Sequence, residues 1–322
     1  DKREQPGCDF GKHVIPYCFE NGNPMFAYEF NGYWKDVGTL GSYWEANMEL
    51  IDVVPEFNLY EEYWKIYTKS DVLPPQYFAS TSEVEKSIIG EGTEIYGKVY
   101  NSVIGCGVTI GEGTVVRDSI IMNGTCLGKD GEFNKVIVAE SVEIGDNVNI
   151  RECATINRGT KASGRGVTKI GNNCLLMSYT HVAHDCTVGN NCILVSYVGI
   201  AGETDVDDWA TIGGSTVAHQ FSRIGTHAMV GGGSKINKDV PPYVLCGRDP
   251  LTYAGVNIVG LRRRGFTSDQ IRNIKDIYDI VYGGGMNTTD ALARIESGFP
   301  QSEERDTILA FIRGSKRGII KG

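Results

Sequence analysis

Residues 170–236 read IGNNCLLMSYTHVAHDCTVGNNCILVSYVGIAGETDVDDWATIGGSTVAHQFSRIGTHAMVGGGSKI. Every sixth residue of this stretch is apolar, and none is bulkier than leucine: Ile170, Leu176, Val182, Val188, Leu194, Ile200, Val206, Ile212, Ala218, Ile224, Val230 and Ile236. A period of six fits neither the 3.6-residue turn of an α-helix nor the alternation of a long β-strand. It is typical of hexapeptide β-helices, in which short strands turn a corner every sixth residue and a small aliphatic side chain points inward. The stretch therefore predicts a β-helix.

A triangular coil with three such edges places residues that are eighteen apart in one column. Neighbouring coils then lie about 4.8 Å apart. His184, Gly202 and Gln220 share this spacing and are expected to form one outward column. A histidine beside a bare glycine backbone, with a glutamine on the next coil, indicates the start of an active site. A lone histidine in a β-helix is usually a surface residue, but His181 and His219 fall in adjacent columns, which favours function.

The composition excludes several classes of protein. The 322 residues carry a formal net charge of −9, which argues against general affinity for nucleic acid. No apolar run is long enough to span a bilayer and no secretory signal is present, so we predict a cytoplasmic protein without stable membrane insertion. The nine cysteines form no CxxC pair and no metal-type spacing. We therefore expect free thiols in a reducing compartment, with neither a metal site nor a cofactor.

The sequence divides into three segments. Residues 1–75 are rich in aromatics and lack the six-residue period, although Ala27–Tyr33 alternates like a strand and Glu45–Ile51 resembles a short helix. A looser period begins near residue 80, and the β-helix is expected to span residues 80–245. Pro241–Pro242 is expected to prevent further strand pairing. Residues 250–322 have helical periodicity, with Ser268 as a candidate cap, and predict an α-helical C-terminal domain.

Residues 157–168 (NRGTKASGRGVT) break the period and predict a loop that projects from the coil. Four basic residues cluster there on an otherwise acidic chain: Arg158, Lys161, Arg165 and Lys169. One interpretation is a solvated loop. The other is a contact for an anionic substrate or protein partner.

From about residue 148 to 322 the chain closely resembles the acyl-[acyl-carrier-protein]–UDP-N-acetylglucosamine O-acyltransferases, which catalyse the first step of lipid A biosynthesis. The strings that carry the resemblance are IRECATINRGT, LLMSYTHVAHDCTVGNNCILV, IGGSTVAHQFSRIGTHAMVGG, KDVPPYV and NIVGLRRRGF. The resemblance implies a left-handed parallel β-helix, a homotrimer with active sites between subunits, and acyl carrier protein and UDP-N-acetylglucosamine as partners. It also implies transfer of an R-3-hydroxyacyl group to the 3-hydroxyl of the sugar.

The resemblance also implies roles for single residues. His184 matches the catalytic base, a task that suits the pKa of histidine, and the backbone N–H of Gly202 matches the oxyanion donor. The positions that match substrate contacts are His181, His219, Gln220, Asn257, Arg263 and Arg264. Gly232 matches the position that limits acyl-chain length, where glycine leaves room for a long chain.

Residues 1 to about 148 closely resemble another family, the glucose-1-phosphate adenylyltransferases of glycogen synthesis. The strings DFGKHVIP, FNGYWKDVGTLGSYWEANMEL and WKIYTKSDVLPPQY carry this resemblance. It implies a chimera joined inside the β-helix near residues 144–151, with residues 1–75 as a truncated α/β remnant. Asp36 matches that family's metal-holding aspartate. The chain begins at Asp1 rather than methionine, so we expect an N-terminus that was processed, trimmed or lost.

The truncation predicts apolar surface on the remnant, for which Tyr33, Trp34, Trp44 and Trp64 are candidates. The aspartate that recognises the acyl 3-hydroxyl in acyltransferases lies in a QDLKY-like stretch that is absent here. Donor binding is therefore expected to be impaired. Three hypotheses remain: an acyltransferase with weakened donor binding, a nucleotidyltransferase remnant, and an inactive trimeric scaffold that binds nucleotide-sugar at most.

Overall fold

The computed structural model describes residues 9–63, 72–283 and 285–322. The described chain falls into two compact units, of which the first ends at Asp36 and the second is Val37–Gly322. The first unit contains a π-helical turn, Phe10–Val14, and helix α1, Ile15–Glu20. The predicted strand at Ala27–Tyr33 is wrong, because these residues are irregular and no neighbouring strand pairs with them in the described chain.

Three sheets form the body of the second unit, and the chain visits them in the order A, B, C on each coil. Sheet A contains Tyr77–Phe78, Glu94–Ile95, Thr109–Ile110, Cys126–Leu127, Val142–Ile144, Thr168–Ile170, Thr187–Val188, Asp205–Val206 and Arg223–Ile224. Sheet B contains Glu83–Glu85, Lys98–Tyr100, Val115–Arg117, Glu132–Asn134, Asn149–Ile150, Leu175–Leu176, Ile193–Leu194, Thr211–Ile212, Met229–Val230, Val244–Gly247 and Thr252–Val256. Sheet C contains Ile88–Ile89, Val103–Ile104, Ile120–Ile121, Ile137–Val138, Thr155–Ile156, His181–Val182, Gly199–Ile200, Val217–Ala218 and Lys235–Ile236.

The strand register confirms the predicted parallel β-helix. Val182 pairs with Ile200 and Ile200 pairs with Ala218, so successive partners are eighteen residues apart. The twelve residues of the six-residue period are all buried, and none is more than 5% exposed. Thr155 pairs with His181 across a longer interval, because the predicted loop is inserted between the strands that end at Ile156 and begin at Thr168.

The prediction that Pro241–Pro242 prevents further strand pairing is wrong. Strand Val244–Gly247 follows the prolines, pairs in parallel with Met229–Val230 and forms an antiparallel hairpin with Thr252–Val256. The prolines lie between strands, where no ladder N–H is needed. The carbonyl of Pro242 instead accepts a hydrogen bond from the hydroxyl of buried Tyr278, at 2.6 Å.

Four helices follow the β-helix: α3, Ile258–Arg263; α4, Ser268–Gly283; α5, Thr288–Gly298; and α6, Glu303–Arg313. The predicted cap of α4 is displaced by one residue. The Thr267 hydroxyl accepts from the N–H of Gln270 at 3.2 Å, and the Gln270 side chain accepts from the N–H of Thr267 at 2.9 Å. Ser268 is instead the first helical residue.

Helix α2, Leu40–Glu49, lies against the β-helix, and it begins before the predicted Glu45 because Thr39 and Ser42 form a capping box. The Trp44 indole N–H donates to the carbonyl of Asp118 at 2.7 Å, and the Lys135 ammonium lies 4.5 Å from the Trp44 ring. A cavity of about 310 Å³ lies beside this contact. Trp44 therefore packs against the β-helix and does not belong to the exposed apolar surface that the truncation predicts.

The other predicted surface aromatics differ in outcome. Trp34 is 76% exposed and Phe26 is 95% exposed, so the first unit does carry apolar surface. Tyr33 is partly buried, and Trp64 lies outside the described residues.

In the described chain no helix combines the length and apolar character that a membrane span requires.

Candidate active site

His184, Gly202 and Gln220 lie on successive coils at the corner that links sheet C to sheet A, which we call the C–A corner. The N–H of Glu203 donates to the carbonyl of His184 at 3.0 Å and fixes this register. A Cβ built on Gly202 would lie 2.4 Å from both Cε1 and Nε2 of His184. The imidazole therefore covers the bare glycine backbone, as the predicted column requires.

The buried carboxylate of Asp185 holds His184. Its Oδ2 lies 2.9 Å from Nδ1 of His184, and Asp185 has no exposed surface, whereas the His184 side chain is 42% exposed. Burial by itself raises the pKa of Asp185, but hydrogen bonds from Ser163, His184 and Thr160 outweigh it and hold the pKa well below its usual range. An ionised carboxylate only accepts hydrogen bonds, so Nδ1 of neutral His184 carries the proton. The Nε2 lone pair is then available above Gly202.

The loop that interrupts the β-helix covers Asp185. The N–H of Thr160 lies 3.0 Å from both carboxylate oxygens, and the N–H of Gly166 donates to Oδ1 at 3.0 Å. The Arg165 guanidinium makes a bidentate ion pair with Asp205, at 2.6 and 2.9 Å.

Most of the predicted basic cluster pairs within the chain. Arg158 contacts Glu140 and Lys169 contacts Glu143, each at 2.5 Å, while Lys161 is exposed. The pairs of Arg158 and Lys169 are largely exposed, and Lys169 lies on a strand of sheet A rather than in the loop. Both interpretations of the cluster therefore stay open for Lys161.

His181 lies on sheet C beside the C–A corner. Its Nδ1 is 2.7 Å from the hydroxyl of Thr155 on the preceding coil. Burial lowers the pKa of His181 and favours the neutral ring. The hydroxyl can donate to or accept from this ring, so His181 is held in position without an ionised partner.

On the other side of Gly202, the C-terminal segment reaches the C–A corner through Arg317. One guanidinium nitrogen lies 2.7 Å from the Gln220 carbonyl and 3.1 Å from Nδ1 of His219. Nδ1 of His219 also lies 3.0 Å from the Gln220 carbonyl. Nδ1 can therefore accept from Arg317 or, when it carries the proton, donate to this carbonyl, so these contacts hold the ring in place without fixing its tautomer. Arg317 was not identified from the sequence, because it lies 98 residues from His219 along the chain.

The remaining predicted substrate contacts lie at another corner, which links sheet A to sheet B and which we call the A–B corner. Asn257 caps α3 by accepting from Gly260 at 3.1 Å and donates to the carbonyl of His227 at 2.9 Å. Arg264 Nη1 lies 3.1 Å from Nδ1 of His227, and Arg263 is exposed. The chain therefore does not bring these residues together with His184.

An aromatic stack forms the A–B corner. His227 stacks between Trp209 and Tyr243, with ring centroids 5.9 and 5.7 Å apart, and Arg264 lies 5.1 Å from the Trp209 ring. Burial, together with the charge of Arg264, lowers the pKa of His227 to about 4. His227 was missed from the sequence, although its eighteen-residue spacing from Trp209 was a usable signal.

Gly232 lies at the third corner, between sheets B and C, and is exposed. A Cβ built there would lie 3.0 Å from the carbonyl oxygen of Gly214 on the preceding coil.

No group of three or more His, Cys, Asp or Glu side chains that could hold a metal ion occurs in the part of the chain that the structure describes.

Family models match four parts of the chain. Residues 239–320 match domain 2 of UDP-N-acetylglucosamine O-acyltransferase, and residues 168–202 match the bacterial transferase hexapeptide. Residues 75–170 match the GlmU-like C-terminal hexapeptide, and residues 1–53 match nucleotidyl transferase.

Solved structures agree with the first two matches. UDP-N-acetylglucosamine acyltransferase (LpxA) from Bacteroides fragilis 9343 is 38% identical, with a TM-score of 0.62 over 78% of this chain and 100% of that one. The chain belongs to the UDP-N-acetylglucosamine acyltransferase family. The family member from Moraxella catarrhalis RH4 is 33% identical, with a TM-score of 0.65 over 77% of this chain and 98% of that one.

This acyltransferase-family chain also carries sequence of a second family. It is 72% identical over 110 residues to the glucose-1-phosphate adenylyltransferase of Lachnospira eligens. That match covers 34% of this chain and 26% of the relative, so the chain spans about a quarter of the relative's length. The chain is therefore a chimera of the two families.

Proposed function

We propose that the protein transfers an R-3-hydroxyacyl group from acyl carrier protein to the 3-hydroxyl of UDP-N-acetylglucosamine, the first step of lipid A biosynthesis. The observation that carries this proposal is the His184 imidazole, which Asp185 holds at Nδ1 while Nε2 lies above the backbone of Gly202. Such a pair supplies a general base beside a backbone donor, which acyl transfer from a thioester requires.

In the proposed reaction, Nε2 of His184 takes the proton of the 3-hydroxyl as the sugar oxygen attacks the thioester carbonyl carbon. The C–S bond then breaks, and the leaving thiolate takes the proton back from the imidazolium. Within the described chain, the N–H of Gly202 has no hydrogen-bond partner and can donate to the developing oxyanion. Asp185 stays ionised and stabilises the imidazolium, as in other carboxylate–histidine pairs.

The substrate contacts are assigned to both corners. His181, His219 and Gln220 lie at or beside the C–A corner with His184, where they would contact the sugar and the acyl donor. Asn257, Arg263 and Arg264 lie at the A–B corner, where arginine suits recognition of phosphate. Gly232 would line the part of the site that holds the end of the acyl chain.

A second copy of the chain would complete the site, because the β-helix separates the two corners. We therefore propose a homotrimer in which the A–B corner of one copy faces the C–A corner of the next. Mixing subunits tests this arrangement: His184→Ala and Arg263→Ala are each inactive alone, and random mixing restores about a quarter of the sites. A mixture that stays inactive, although native mass spectrometry of differently tagged subunits finds mixed trimers, contradicts a shared site.

The direct test is acyl transfer. Purified protein is incubated with UDP-N-acetylglucosamine and R-3-hydroxymyristoyl carrier protein. His184→Ala should lower the rate roughly 100-fold or more, because a general base contributes at least that factor. His13→Ala is a matched control, since His13 is exposed in the first unit. Absence of product from a folded, trimeric protein favours a binding scaffold without activity.

The adenylyltransferase hypothesis has its own support, the 72% identity over 110 residues. It predicts formation of ADP-glucose from ATP and glucose-1-phosphate. Under that hypothesis Asp36→Asn would abolish the product, because Asp36 matches the metal-holding aspartate of the adenylyltransferases. Acyl transfer without ADP-glucose formation would contradict this second function.

The cytoplasmic location remains part of the proposal, since acyl carrier protein and nucleotide-sugars are its proposed partners.

A further inference from the structure

Apart from His184 itself, the groups that hydrogen-bond the Asp185 carboxylate belong to a loop and not to the β-helix that surrounds it. Asp185 has no exposed surface. The N–H of Thr160, the Thr160 hydroxyl and the N–H of Gly166 contact its oxygens at 2.8–3.0 Å, and all belong to the inserted loop, residues 157–167. A buried charge that loses such donors is strongly destabilised. The position of the loop therefore decides whether Asp185 stays buried.

One side chain of the loop ties it to sheet A. Arg165 places both terminal nitrogens on the two carboxylate oxygens of Asp205, at 2.6 and 2.9 Å. The same guanidinium donates to the backbone carbonyl of Asp185 at 3.1 Å. Parallel two-point pairing of this kind is among the strongest charged contacts in proteins. Asp205 lies on a two-residue strand whose partner strands are fixed on both sides.

We propose that Arg165 is a positioning residue for acyl transfer, which holds loop 157–167 on sheet A through Asp205 and so keeps the Asp185 carboxylate buried against Nδ1 of His184. This inference rests on the proposed function for its kinetic consequence only. Arg165 contacts the Asp185 backbone and Asp205 but not the imidazole. Its loss should therefore act through the loop.

The kinetic test separates positioning from substrate binding. Arg165→Asp and Asp205→Arg should each lower kcat about 10-fold or more, in the range found for loss of supporting hydrogen bonds around a reactive group. The KM for UDP-N-acetylglucosamine should change less than about 2-fold, and the double variant, which restores an ion pair, should recover most of the rate. Arg158→Met is the matched control, because Arg158 belongs to the same loop but pairs with Glu140 in a more exposed contact.

Two further readouts do not depend on activity. Lys161 is exposed in the loop, and trypsin should cleave after it faster in Arg165→Met than in the wild type or in Arg158→Met. In ¹⁵N spectra of histidine-labelled protein, His184 should carry its proton on Nδ1 in the wild type and lose this preference in Arg165→Met. Unchanged cleavage and an unchanged His184 signal would overturn the proposal, whether or not the protein transfers acyl groups.

Discussion

The ring of His184 lies so close above Gly202 that a Cβ on this glycine would fall 2.4 Å from Cε1 and Nε2. The colliding atoms belong to a partly exposed side chain that can rotate away. Gly202→Ala should therefore cost less than about 1 kcal/mol of folding free energy. It should lower acyl transfer roughly 100-fold, because the base and the oxyanion donor are both displaced.

Gly199→Ala provides the control for that variant. A Cβ on Gly199, which lies on the strand that leads into the same corner, would meet only Val217 Cγ1, at an ordinary 3.8 Å. Thermal unfolding and steady-state kinetics of both variants check the prediction. Equal activity of Gly202→Ala and Gly199→Ala would contradict the proposed stacking.

Asp185→Asn should destabilise the protein and slow the reaction. The new amide would point an N–H₂ group at the donors of Thr160 and Gly166, which costs about 2 to 4 kcal/mol. Because the pKa of Asp185 is lowered in the folded state, its stabilisation is present above the unfolded value of about 3.9 and is lost as the pH falls through the folded value. Urea midpoints at pH 7 and about pH 2 check this, and the difference between wild type and variant should shrink in acid.

Arg317→Met should alter His219 without altering the base. Arg317 holds the His219 ring, because Nη1 lies 3.1 Å from Nδ1 and also donates to the neighbouring Gln220 carbonyl. Without it, we expect the ring to lose its fixed orientation and the KM for UDP-N-acetylglucosamine to rise about 10-fold, equivalent to about 1.4 kcal/mol, while kcat changes little. ¹⁵N spectra and kinetics provide the measurements, and Lys316→Met, at the exposed neighbouring position, is the control. A change in kcat alone would argue against this role.

The free energy of unfolding should depend on pH through the protonation of His227. Its pKa is about 4 in the folded protein because of burial and the charge of Arg264, against about 6.5 in an unfolded chain. The unfolded state thus binds more protons between these values, so stability is complete above about pH 6.5 and falls as the pH drops toward 4. His227→Phe keeps an aromatic ring in the stack but cannot titrate. Its unfolding midpoint should depend less on pH over this range, and an unchanged slope would contradict the assignment.

The sequence predicted the β-helix because its core repeats. Each coil buries one small aliphatic residue per edge, and an eighteen-residue register follows from three edges of six. The same arithmetic placed His184 beside Gly202 and located the loop, since any insertion must leave the coil. Predictions from short local patterns were less reliable, because strand formation also depends on which strands lie alongside. Ala27–Tyr33 alternates like a strand but has no strand to pair with, and Pro241–Pro242 occupies a position between strands where a missing N–H costs nothing.

From the sequence, only those parts of the candidate site that lie in the eighteen-residue columns could be predicted. His181, His184, Gly202, His219 and Gln220 lie on three successive coils, so their proximity follows from spacing alone. Arg165 with Asp205, and Arg317 with His219, come together across 40 and 98 residues of chain. The sequence by itself thus determined the fold and the column that holds the base. Only the tertiary structure decided which charges surround that column, because side chains of a loop and of the C-terminal segment reach it without following the six-residue period.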